Sequence, residues 1–70
     1  MKVITQEREA RGWSRAELGR HARLHPSRVG QCENGRAVPY DIELERLAAA
    51  LGWTGEPSDL LTDVDDGRGV

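Results

Sequence analysis

Ser27, Arg28 and Gln31 place three hydrogen-bonding side chains close together, just after Pro26. Gln31 lies four residues beyond Ser27, so a helix puts both on one face, with Arg28 beside them. Such side chains can address the edges of nucleic-acid bases. Glutamine pairs with adenine N6 and N7, arginine with guanine O6 and N7, and serine is permissive. Arg15, Arg23, Asn34 and Arg36 lie around them and could hold phosphate oxygens. Any surface helix shows a polar face to water, so this reading depends on the elements that carry it.

Those elements are two short helices with a tight corner. Ser14 is an N-cap candidate and Glu17 follows three residues on, a capping box. Ala16, Leu18, Gly19 and Ala22 give the helix over about 15–22 an inward face. A second helix over about 26–33 begins at Pro26, where the missing N–H costs nothing, and Val29 and Cys32 recur behind it. His25 is its N-cap, where Ser, Thr, Asp or Asn does better. Asn34-Gly35 ends it with residues that tolerate positive φ. Helix, turn, helix is the arrangement whose second helix enters the DNA major groove.

Arg11-Gly12-Trp13-Ser14, Ala16-Glu17-Leu18, Pro26-Ser27 and Glu33-Asn34-Gly35-Arg36 together resemble the Cro/repressor-type helix-turn-helix family, often called XRE. Pro39 and the run Arg46 to Gly52 complete the resemblance, which covers residues 2–62. It implies an all-α, lambda-repressor-like bundle of four to five short helices and a transcriptional regulator of double-stranded DNA. On that resemblance Ser27, Arg28 and Gln31 fall at base-reading positions. Arg15 stands where the family carries a backbone-contacting glutamine, and Asn34 and Arg36 match the other half of that phosphate clamp, with Arg23 beside it. An Arg8–Glu33 ion pair ties the first helix to the third. Trp53, Leu60 and Leu61 fall in the region through which family members pair, implying a homodimer on a palindromic operator. One position departs from the pattern. The family turn has glycine where Arg23 stands, and arginine is strained at positive φ, so a remodelled turn is expected.

The remaining segments are read as helix 1 over 2–11, helix 4 over 41–51 and helix 5 over 57–62. Ile42, Leu44, Leu47, Ala48 and Leu51 are taken as the inward face of helix 4, and Trp13, Leu18, Val29, Leu47, Leu51 and the Trp53 neighbourhood as the core. The domain is placed at 1–62, with a frayed acidic tail over 63–70.

The net charge of −2 conceals a division. Residues 1–36 carry eight Lys and Arg against four Glu, and residues 37–70 carry two Arg against eight Asp and Glu. A basic half holding the helix-turn-helix is the electrostatic footprint of nucleic-acid binding. The acidic half gives substance to an alternative, a protein-interaction module of antitoxin-like or transcription-machinery-binding type. Seventy residues make one domain. The single cysteine excludes an internal disulfide and fits a reducing compartment. No signal-peptide core and no membrane-length apolar run are evident, so a cytoplasmic protein is expected. His21, His25 and Cys32 do not have metal-ligand spacing, and Ser14 and Ser27 lack an orienting carboxylate. No cofactor, metal or enzymatic activity is expected.

Overall fold

The computed structural model describes residues 1–64, so the expected tail beyond Val64 lies outside the described residues. Four α-helices occur in order: α1 (Val3–Ala10), α2 (Arg15–Ala22), α3 (Pro26–Asn34) and α4 (Asp41–Leu51). A 3-10 helix, Pro57–Leu61, follows. It stands where an ordinary fifth helix was expected. The domain is all-α.

The helix ends follow local chemistry. Ser14 Oγ accepts from the Glu17 amide at 3.1 Å, and the Glu17 carboxylate accepts from the Ser14 amide at 3.1 Å. The bond from the Ser14 amide to the carboxylate favours the ionised form and is the chief cause of the Glu17 carboxyl lying below its ordinary range, with the Ser14 hydroxyl a smaller one. At the start of α4, Glu43 accepts from the Tyr40 amide at 2.8 Å. α3 ends at Gly35 and α4 at Gly52, both left-handed.

The corner between α2 and α3 keeps its tight form despite its arginine. Arg23 takes the left-handed conformation itself, with φ 60 and ψ 44. The expected remodelling does not occur. The cost of about 1–2 kcal/mol is met by the Leu24 amide, which donates to the Gly19 carbonyl at 2.8 Å. Gly19 makes this closure possible: a Cβ there would lie 2.5 Å from the Leu24 carbonyl oxygen.

Ile4, Leu18, Val29, Cys32, Leu47, Leu51 and Leu60 are fully buried. Burying each large aliphatic side chain contributes about 1.5–3 kcal/mol. Three expectations fail here. Ile42 is 54 % exposed, because the stripe Leu44, Leu47, Ala48 and Leu51 has the i, i+3, i+4, i+7 spacing and Ile42 falls off it. Leu60 belongs to the core, because the 3-10 helix folds back across α1 and α4. Trp13 and Trp53 are only half-buried and pack on the rim of the core.

The two chain segments flanking the bundle pair with each other. Lys2 and Asp63 form an isolated antiparallel bridge. The Val3 amide donates to the Thr62 carbonyl at 2.9 Å and the Val64 amide to the Met1 carbonyl at 2.6 Å. Asp63 and Val64 are therefore held rather than frayed. Among the described residues no helix is long and apolar enough to cross a membrane.

Candidate nucleic-acid interface

The inner side of α3 is fixed by buried contacts. Val29 and Cys32 enter the core, and burial raises the Cys32 thiol above its ordinary value, keeping it protonated and inert. Glu33 also faces inward, its side chain only 1 % exposed. A buried carboxylate requires partners, and Glu33 has two arginines. Arg8 Nε donates to Oε2 at 2.7 Å and Arg8 Nη2 to Oε1 at 3.2 Å. Arg15 Nε donates to Oε1 at 3.0 Å. Arg8 Nη1 also donates to the Trp13 carbonyl at 2.7 Å. One carboxylate thus links α1, the start of α2 and α3.

Arg15 therefore has a second occupation besides the phosphate contact read from the sequence. Its Nε is anchored at Glu33, while its side chain stays 45 % exposed. It lies across α3 at Gly30, where a Cβ would come within 3.3 Å of Arg15 Nη1. The missing side chain at Gly30 leaves room for the guanidinium to lie close to the helix. The result is a cation pre-placed beside the outer face of α3.

Arg28 is turned elsewhere. Its Nη2 donates to Glu43 Oε1 at 2.9 Å and its Nε to Glu43 Oε2 at 3.2 Å. Its guanidinium carbon lies 5.6 Å from the centre of the Tyr40 ring, a cation–π distance. This fork holds the Glu43 carboxyl below its usual range, the Arg28 hydrogen bond being the chief cause and the Tyr40 amide a smaller one. Arg28 ties α3 to α4, with its side chain 25 % exposed. The sequence offered no sign of this pair, because fifteen residues and a helix crossing separate its members.

The outer side of α3 retains Ser27 and Gln31, both exposed. Asn34 and Arg36 are exposed at the C-terminal end of α3, and Arg23 at the corner before it. Among the described residues Arg20, Arg23, Arg36 and Arg46 have no ion-pair partner. His25 was underrated as a cap. Its Nδ1 accepts from the Ser27 amide at 3.1 Å and lies 2.7 Å from Ser27 Oγ. His21 stacks on Trp13 at 4.2 Å between ring centres. Among the described residues no three His, Cys, Asp or Glu side chains converge as a metal set.

This is a short helix anchored on one side, polar on the other, and joined by a tight corner to the helix before it. Residues 3–61 match the family model of the helix-turn-helix domain. The chain belongs to the helix-turn-helix domain family. The helix-turn-helix domain is also similar to multiprotein-bridging factor 1 of Schizosaccharomyces pombe, at 33 % identity over 51 residues. That alignment covers 73 % of this chain and 34 % of the relative, so the chain spans about a third of that protein's length. No solved structure matches the helix-turn-helix domain significantly. The surface apolar residues expected to pair two copies are divided by the fold. Trp53 and Leu61 are half-buried, whereas Leu60 is wholly enclosed.

Proposed function

We propose that this helix-turn-helix domain binds double-stranded DNA in a sequence-specific way and acts in transcriptional control as a small Cro- or repressor-like regulator. α3 enters the major groove with Ser27 and Gln31 toward the base edges. Arg15, Arg23, Asn34 and Arg36 contact phosphates on either side. Arg28 is assigned to holding α3 against α4, so it contributes to base reading only indirectly.

The observation that carries this reading is the sorting of charges around α3. The inward carboxylate Glu33 is consumed by two arginines, and the outward face keeps neutral hydrogen-bonding side chains flanked by Arg23 and Arg36. A base-reading surface needs that layout, with positioning cations at the edges and readers in the middle.

Two copies on a palindromic operator would double the small contact area of one domain. Trp53 and Leu61 are the residues proposed to meet in that pairing, since Leu60 is enclosed. Binding to duplex DNA, followed by fluorescence anisotropy across a salt series, tests the proposal. Three arginine–phosphate contacts per copy predict a log–log slope of about −3 per copy, with one duplex preferred over its scrambled form at every salt concentration. Equal binding to both duplexes, vanishing at moderate salt, contradicts it.

A second reading has its own observation. Val38, Tyr40 and Ile42 are exposed apolar side chains bordering Asp41 and Glu45. They make a mixed apolar and acidic surface suited to a protein partner. The name of the bridging-factor relative points the same way. Loss of DNA preference together with retained partner binding favours this reading.

A further inference from the structure

The contact between His25 and Ser27 fixes where protons sit at the reading end of α3. The Ser27 amide, which always carries hydrogen, points it at His25 Nδ1 at 3.1 Å. Nδ1 must then present its lone pair, and in the neutral ring the proton is on Nε2. Ser27 Oγ lies 2.7 Å from the same nitrogen. A contact that short needs one hydrogen between the atoms. In the neutral ring with Nδ1 unprotonated only the serine hydroxyl can supply it, and it shares the single Nδ1 lone pair with the amide as a three-centre bond. The hydroxyl proton is therefore committed to His25. What Ser27 still offers to an incoming group is oxygen lone pairs.

Free serine is permissive because its hydroxyl rotates to donate or accept. Here that freedom is removed. Resting on the DNA-reading assignment above, we propose that Ser27 is an acceptor-only reader whose polarity is set by His25. The group it selects is an exocyclic amino group in the major groove, adenine N6 or cytosine N4. Guanine O6, thymine O4 and the purine N7 atoms are acceptors and gain nothing from it. His25 is a positioning residue in this scheme, acting through the serine.

The test starts from the duplex enriched by the full chain out of random DNA and finds the base pair where Ser27→Ala loses selectivity. That pair is then remade in two ways: with its amino group deleted, or with its purine N7 replaced by carbon. One hydrogen bond of about 1 kcal/mol corresponds to a change of about fivefold in affinity. Deleting the amino group is expected to weaken the wild-type chain by about that factor, while the N7 change has no effect. Ser27→Ala is indifferent to the amino deletion, which also controls for the weakened base pair. His25→Gly keeps an acceptable N-cap and frees the hydroxyl, so the preference for the amino group falls away. Should that variant fold poorly by circular dichroism, Ser27→Ala carries the test alone. Wild-type binding that ignores the amino group, or an N7 change felt by the wild type and not by Ser27→Ala, overturns the proposal. A variant Ser27→Ala with unaltered selectivity at every position also overturns it. Failure to enrich any duplex strikes the DNA-reading assignment itself and takes this inference with it.

Discussion

Two carboxylates hold α3, Glu33 from within the helix and Glu43 from α4, and they do so in different surroundings. The Glu33 side chain is 1 % exposed and accepts three hydrogen bonds from two arginines. The Glu43 side chain is 14 % exposed and takes one arginine as a fork. At Glu33 the low local dielectric makes a lost partner expensive, because a buried charge is left without compensation. At Glu43 water can replace the missing group. Similar ion pairs therefore have different jobs. Glu33 fixes the fold and sets Arg15 in place, while Glu43 mainly fixes which way Arg28 points.

The largest break in this comparison comes from Arg8→Ala. It removes two bonds to Glu33 and the bond to the Trp13 carbonyl. Breaking one side of a buried pair costs about 3–5 kcal/mol, so the melting temperature should fall by more than about 10 °C, or the domain should fail to fold. A shift under about 3 °C in a thermal melt would show that Glu33 is better solvated than its burial indicates.

Arg15→Ala is next. Glu33 keeps both bonds from Arg8, and Arg15 is half in water, so the loss of stability should stay near 1 kcal/mol or below. Its DNA affinity should nevertheless fall several-fold, with the salt slope reduced by about one. A large stability loss with unchanged salt slope would make Arg15 purely structural.

Glu43→Gln is the smallest change and has a sign set by pH. The folded Glu43 carboxyl lies below its ordinary value because of Arg28. A lowered folded value contributes stability that is present above the unfolded value, about 4.3, and is lost as pH falls through the folded one. The wild type should therefore melt slightly above Glu43→Gln at neutral pH, and the gap should close on acidification below about pH 4. A gap that widens in acid contradicts the assignment.

Much of the backbone was legible in the sequence because its signals are local. Ser14 with Glu17, Pro26, and the glycines at 35 and 52 mark helix ends through contacts spanning a few residues. The pairing of Arg8 with Glu33 could be anticipated only by resemblance, since no composition or spacing joins positions 25 residues apart. The fork between Arg28 and Glu43 was not legible at all, for it depends on how α3 crosses α4. Arg23 taught the reverse lesson. A residue unsuited to positive φ was read as a break in the motif, yet closure by Gly19 and Leu24 outweighed the strain. On the candidate interface, residue types were readable and their engagements were not. Arg15 and Arg28 look alike in sequence, and the fold sets one beside Gly30 on α3 and turns the other onto Glu43 of α4.

The central claim, that the outer face of α3 reads base edges, is tested most directly by selecting duplexes from random DNA with the wild type and with Gln31→Ala. The account predicts an enriched palindromic motif for the wild type and relaxed preference at one position per half-site for the variant. An identical motif from both proteins would contradict it.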